Sequence, residues 1–412
     1  MYSRTEFLYF KMAVLYTMRR KGRAILISLM IALSLTGLLL MEGMYEGMMV
    51  QITQNSIKTG SGAISIQHRG FRSDNNIVYH LADPAAIETL LKHQPGVRSY
   101  AERITQRGLA ATAGYSQGVN VIGIDPEREI GHAQLENFMI EGKYAFERNG
   151  AVIGYRLARK LKTSVGKKIV VTIQDVNNDV VSAALRVEGI IKTNNPSIDS
   201  NGVLIRIGAL RSLSGIDGAT EIAVMVNDET DETAVRDRLA QQIEDPSVVL
   251  YTYKELYPSL SEGEALMQTY NKISSAFIFI VATLGIFGVV LVSVLERVRE
   301  FGIMLAIGTR FADVARLIVY ESLIITLSGY TAGALIGGAA LWYLKVYGID
   351  LSGLSDAFAI FGMDSTIHAV IKPEYFTGSL YSVIAATLFA TIIPIRTLKR
   401  RKPIQSINEQ AT

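Results

Sequence analysis

The 412-residue chain contains no cysteine, so it can form neither a disulfide framework nor a thiolate metal site. Redox chemistry therefore says nothing about its compartment. Histidine is scarce: the five residues His68, His80, His93, His132 and His368 show no metal-like spacing to one another or to carboxylates, and each is expected on the surface or in a loop. Neither a Walker A sequence nor a His-Glu-x-x-His pair occurs. ATP hydrolysis, zincin proteolysis and esterase chemistry are not expected of this chain, no cofactor is expected to be bound by it, and no catalytic or metal-ligating residue is assigned. Net charge is only +3, too little for a nucleic-acid binder that neutralises phosphates.

What is present is apolar. Hydrophobic residues make up 49% of the chain and charged ones 19%, with a mean hydropathy of +0.25, the texture of a membrane protein with a large soluble insert. Four uncharged runs, residues 24–41, 273–295, 322–344 and 375–395, have 18, 23, 23 and 21 residues, close to the ~20 needed to cross a bilayer core. No small-residue cleavage site follows Met41, so the first run is expected to stay as a span and not be removed as a signal peptide. Basic residues flank the runs on one side only: Arg19, Arg20, Lys21 and Arg23, then Arg297, Arg299 and Arg310, then Lys399 to Lys402. By the positive-inside rule that side is the cytoplasm, which makes both termini cytoplasmic and places the large insert outside. Before the first span, Phe7, Phe10, Val14 and Met18 recur at helical spacing beside Arg4, Lys11 and Arg19, as in an interfacial helix or an extension of the span.

The fold class that follows is membrane α-helical, with four transmembrane helices and a large α+β extracytoplasmic domain of two subdomains inserted between helices 1 and 2. The expected divisions are an interfacial helix 1–23, spans 24–45, 272–296, 314–344 and 375–396, a periplasmic domain 46–271, a cytoplasmic segment 297–313, a periplasmic loop 345–374 and a cytoplasmic tail 397–412. Inside the domain, strands are expected at 63–67, 97–104, 220–226 and 248–253, with helices at 83–92 and 231–243; Asp83 reads as an N-cap and Pro84 as the first helical residue. Two such units, 60–115 and 216–255, suggest one split subdomain. Between them, 116–215 is richer in β pattern, with strands at 168–174, 180–193 and 203–207 and a short helix at 155–161, and 256–271 forms a stalk. From 258 to 297 only Gly263 interrupts a helical reading, so the segment is either one helix of ~60 Å or two broken near that glycine.

Three local features stand out. Gly329, Gly333 and Gly337 have the small-xxx-small spacing that permits close helix contact, within the subunit or across a dimer. Met41, Met44 and Met48 surround the outer end of the first span, where they either pack or line an adaptable surface for lipid or substrate. Glu42 and Glu321 are ionisable residues at the edges of apolar runs; Glu321 is expected to pair with Arg316 or to snorkel to the interface, an architectural role.

The segment Glu296-Arg297-Val298-Arg299-Glu300-Phe301-Gly302-Ile303-Met304-Leu305-Ala306-Ile307-Gly308, directly after the second span, resembles the signature of FtsX-type permeases of ABC transporters. The order of parts is similar to the MacB and Lol-type branch. The tail, Pro394-Ile395-Arg396 through Pro403-Ile404, resembles that family's closing pattern. The stretch Val187-Glu188-Gly189-Ile190-Ile191-Lys192-Thr193, followed by Asp199 and Val203-Leu204-Ile205, is similar to the lipoprotein-releasing members. The resemblance implies that Glu300, Phe301, Gly302, Ile303, Met304, Leu305, Ala306 and Gly308 contact a cytoplasmic ABC ATPase dimer, which would hold ATP and Mg. Because the chain starts directly with the interfacial helix, that ATPase is expected on another polypeptide. It further implies a second permease subunit, identical or paralogous, contact with membrane lipid and a periplasmic lipoprotein carrier. The expected activity is extraction of lipoproteins from the outer leaflet of the bacterial inner membrane. Alternatives are MacB-like export of peptides or amphiphiles, or FtsX-type regulation of cell-wall hydrolases, against which the size of the external domain speaks; a membrane-bound enzyme comes last.

Overall fold

Uncharged apolar runs satisfy every backbone group internally when they coil, and the longest ones here do so. The computed structural model describes residues 2–19, 21–147, 149–227, 230–354, 358 and 362–400. The tail from Arg401 onward, with its Pro403-Ile404 pattern, lies outside the described residues, as does Arg20. The first two helices are α1 (Tyr2–Arg19) and α2 (Lys21–Thr59). Those of the inserted segment are α3 (Phe71–Asp74), α4 (Pro84–His93), α5 (Pro126–His132), α6 (Tyr155–Lys160), α7 (Pro196–Asn201), α8 (Ile207–Ser214), α9 (Glu232–Gln242) and α10 (Tyr253–Leu256). After it come α11 (Pro258–Glu296), α12 (Val298–Ala306), α13 (Phe311–Tyr347) and α14 (Pro373–Arg400).

Two compact units result. One comprises Met1–Met48, Ala265–Ile349 and Ile367–Thr412; the other comprises Met49–Glu264 and Asp350–Thr366. Three helices among the described residues are long and apolar enough to cross a membrane: Ala24–Thr59, Phe311–Tyr347 and Pro373–Lys399. The expected count of four is not reached by that measure, because α11, which holds the 273–295 run, is not among them. That helix is nonetheless continuous through Gly263. α14 likewise continues through Pro394 to Arg400.

In the helical unit, Ala13, Ile27, Val294, Phe301, Leu317 and Ala390 share one buried cluster that joins α1, α2, α11, α12, α13 and α14. The glycine row faces α2 within the same chain. A Cβ on Gly333 would lie 2.8 Å from the Ala32 Cα, and one on Gly329 would lie 2.8 Å from the Ser28 carbonyl oxygen. On Gly337 it would meet the Leu39 side chain at 2.9 Å. Small residues thus let two backbones approach where lipid provides no hydrophobic drive. Hydroxyls bond across the contact: the Ser28 and Ser328 Oγ atoms lie 2.7 Å apart, and Thr36 donates to the Gly333 carbonyl at 3.3 Å.

The other unit is built on one sheet of β1 (Ile64–His68), β2 (Val97–Ala111), β3 (Ser116–Ile124), β4 (Met139–Gly142), β5 (Gly150–Gly154), β6 (Lys168–Gln174), β7 (Val180–Ile191), β8 (Gly202–Arg206), β9 (Glu221–Val226) and β10 (Val248–Thr252). The strand order is β10-β1-β9-β2-β3-β8-β5-β7-β4, with β6 bridging β2 and β7. β3 pairs with β8, and β5 with β7, in parallel; the remaining pairings are antiparallel. Residues 150–154 are buried without alternation, as expected of a strand covered on both faces. Ile153 and Val203 join a cluster on one face, and Val152 and Leu204 a cluster on the other. A third cluster unites Ile66, Leu91, Ile222, Val235 and Leu250, drawn from 60–115 and 216–255. Asp83 does cap α4, accepting from the Ala86 amide at 3.1 Å, with Pro84 in the first turn.

β2 departs from the expected 97–104. It runs on to Ala111 because its first half pairs with β9 and its last residues pair with β6 on the same side. Gly108 stands where β6 crosses, and a Cβ there would lie 2.7 Å from the Thr172 carbonyl oxygen. After β2, Gly114-Tyr115-Ser116-Gln117-Gly118 has the spacing of a hydrolase nucleophile elbow. Such an elbow needs a strand-to-helix turn, whereas this is the hairpin between β2 and β3, closed by the Thr112 amide on the Tyr115 carbonyl. The segment 350–366 belongs to this unit too. Asp364 accepts from Asn55 at 3.1 Å and from Asn194 at 2.5 Å, while Gln51 donates to the Thr366 carbonyl.

Candidate partner-docking element

The charged segment after the 273–295 run folds as a sharp corner. α11 ends at Glu296, Arg297 leaves helical geometry as the N-cap residue, and α12 follows at once. Arg297 is buried, which its charge tolerates only through its contacts. Its Nε donates to Glu300 at 3.0 Å and its Nη1 to Glu321 at 2.5 Å. Its guanidinium also covers the Tyr16 and Phe301 rings at 4.1 and 4.7 Å. The expectation for Glu321 is therefore corrected. Its partner is Arg297, whereas Arg316 turns to Glu6 and Asp313. Two residues close in space but 24 apart in sequence offer no local spacing signal.

α12 ends as sharply. Gly308 has φ +99°, the Thr309 amide donates to the Met304 carbonyl at 3.0 Å, and the Gly308 amide donates to the Leu305 carbonyl at 3.2 Å. This is a Schellman closure, which needs the left-handed residue that glycine supplies without strain. Arg310, in extended geometry, is the N-cap residue from which α13 starts, without a side-chain capping bond.

Between the two stops the eight candidate residues divide by face. Phe301 and Gly302 point inward, Phe301 being 1% exposed in the helical cluster. Met304 and Leu305 are half-buried against the same cluster. Glu300 holds Arg297. Ile303, Ala306 and Gly308 face outward, and with them Ile307, at 77% the most exposed large apolar residue of the segment and absent from the residues singled out by sequence. Periodicity alone marks it, since 299, 303, 306 and 307 share one helix face opposite Phe301. The outcome is a short, rigidly mounted helix showing an isoleucine pair rimmed by Arg299 and Glu300.

Of the methionines, Met44 packs beside Leu35, Leu39, Leu341 and Ala369, while Met41 and Met48 are half-buried. Gly329, Gly333 and Gly337 serve the α2 contact described above.

Known proteins share both halves. The family described as FtsX-like permease C-terminal matches residues 272–403, which includes α12, and the MacB-like periplasmic core domain family matches residues 24–242, more than half of the chain. A curated relative, the macrolide export ATP-binding/permease protein MacB of Escherichia coli, is 26% identical over 55% of this chain and 34% of its own length. The chain thus spans about a third of the length of that relative. The uncharacterized ABC transporter permease YknZ of Bacillus subtilis is 21% identical over 96% of this chain and 98% of its own. Among solved structures, the periplasmic region of MacB from Actinobacillus actinomycetemcomitans covers 51% of this chain at 14% identity, with a TM-score of 0.36. A corner helix closed by glycine after an apolar run, with a MacB-like core domain carried before it, places this chain in the family of FtsX/MacB-type ABC permeases.

Proposed function

We propose that the chain is the non-catalytic permease subunit of an ATP-driven transporter that works by mechanical transmission. The observation that supports this best is the exposed Ile303 and Ile307 pair on a helix fixed at both ends, by the buried Arg297 pairs and by Gly308. Exposed apolar residues on a rigid mount suit a groove in a partner, here a cytoplasmic ABC ATPase dimer holding ATP and Mg. The continuity of α11 from Pro258 to Glu296 supports transmission along that helix. In this reading α11 supplies the fourth span, both termini are cytoplasmic, the protein lies in the bacterial inner membrane, and a second permease copy or a paralogue completes the dimer.

The cargo in this reading is an amphiphile presented from the periplasm or the outer leaflet, in keeping with a relative named for macrolide export. Lipoprotein release to a periplasmic carrier is the second reading. It is favoured by the stretch Val187 to Thr193 with Asp199, where the buried Asp199 accepts from the Thr193 amide at 2.7 Å and the Asn194 amide at 3.0 Å and so fixes the turn that follows the strand.

Ile303→Asp and Ile307→Asp test the docking element. Each places a carboxylate on the exposed face while leaving Phe301 and Arg297 in place. In bilayer discs with the cognate ATPase, each is expected to lower permease-stimulated ATP hydrolysis at least tenfold, with unchanged insertion and melting. Full stimulation in the double variant would refute the assignment.

A further inference from the structure

The helical unit contains a cavity of about 250 Å³ that neither the docking element nor the glycine packing uses. Its walls are apolar, formed by Ile31, Leu35 and Leu38 of α2, Phe279 of α11, and Val383 and Ala386 of α14. On α2 the lining positions 31, 35, 38 and 42 form one helical stripe, and on α14 positions 375, 379, 382 and 386 form another. Each stripe is ~16 Å long, so the cavity is a slot and not a round pocket.

Charge is confined to one end of the slot. Glu42 closes the α2 stripe, and Glu374 stands at the start of the α14 stripe beside Tyr375. No lysine, arginine or histidine lines the cavity among the described residues. Among the described residues, the Glu42 carboxylate accepts one bond, from the Ser275 hydroxyl at 3.4 Å. Lys372, two residues before Glu374 in sequence, is paired with Glu46. A carboxylate at the head of an apolar slot in a membrane segment, with no cation among the described lining residues, is complementary to a ligand that brings one.

The geometry points to a binding site for an amine-bearing, single-chain amphiphile, its aliphatic chain lying along the two stripes and its ammonium on Glu42, with Glu374 at the mouth. Gly378 and Ser382 are exposed at the edge of the slot, which gives the chain a lateral way in. The proposal names the ligand class for the transport reading above and rests on it only in taking the slot to face lipid. The same chemistry could come from a single-chain, amine-headed lysolipid of the membrane or from an amphiphile destined for export.

The test measures binding without the ATPase, so that its failure leaves the transport reading standing. The purified full chain in discs of amine-free phosphatidylglycerol is labelled with a photoactivatable long-chain alkylamine and with the matched alcohol, and the labelled peptides are mapped. Labelling of α2 and α14 by the amine is expected, and its half-saturation should rise about tenfold in Glu42→Gln, while that of the alcohol stays put. Ser382→Trp keeps both carboxylates and fills the slot at an exposed position, so it should reduce labelling by both probes. Amine labelling in Glu42→Gln equal to wild type, or labelling spread away from the two stripes, would overturn the proposal. Adding lysophosphatidylethanolamine distinguishes the sources: suppression of amine labelling identifies the lysolipid as occupant, and undiminished labelling identifies a transported amphiphile.

Discussion

Arg103 shows at the level of single residues how the inserted domain tolerates charge in its interior. It is 4% exposed, and its fork meets Glu129 at 2.6 and 2.9 Å while its third nitrogen donates to the Gly60 carbonyl. Burial works against its proton, but Glu129 and then Glu221 outweigh burial and raise its pKa. The same environment has the opposite effect on His132. Expected on the surface or in a loop, it is instead 3% exposed on α5 and bonded to the Ser99 hydroxyl at 3.0 Å. Burial and then the Arg103 charge lower its pKa to about 4. A histidine depressed in the folded state is neutral there and charges on unfolding, so stability falls as the pH drops from its ordinary ~6.5 toward 4 and is fully present above that window. The whole shift corresponds to about 3 kcal/mol. Melting of the purified chain should therefore fall between pH 6.5 and 4 in wild type and fall much less in His132→Gln; equal slopes would reject the assignment. Nothing in the sequence marked this residue, because Arg103 and Ser99 lie about thirty positions away and only the sheet brings them to it.

Among the elements, helices were the more legible. The apolar runs and the small-residue row made α2, α13 and α14 readable, while the break at Gly263 that remained open is absent. The glycine row left open whether it packs inside the subunit or across a dimer, and the structure uses it inside, against α2. Gly333→Val should accordingly destabilise the helical unit by about 1–3 kcal/mol, because the added atoms meet backbone at Ala32 that cannot move aside. Thermal unfolding in detergent would check this, and Gly378→Ala, whose Cβ meets nothing within 4 Å, is the expected neutral control. Strands were less legible: β3, with its polar opening Ser116-Gln117-Gly118, has no alternation at its start and was not anticipated. β2 was cut short at the point where it changes partners.

For the whole molecule, the order of parts carries the functional reading. With the cognate ATPase in liposomes, a fluorescent amphiphile in the outward leaflet should be lost to the medium only with hydrolysable ATP. Loss of a triacylated protein instead would favour the lipoprotein reading, and retention of both would remove the transport proposal. The sequence by itself determined that the chain has membrane helices around a large insert, since apolar runs long enough for a bilayer and one-sided basic clusters are local properties. It also brought out the α12 signature, whose charges, glycine and apolar spacing are contiguous. Only the tertiary structure decided which face of α12 is free, that Arg297 is the partner of Glu321, that the inserted strands make one sheet, and that Glu42 stands at the head of a slot. Each of these depends on residues far apart in the chain meeting across packed elements, and no local pattern encodes such a meeting.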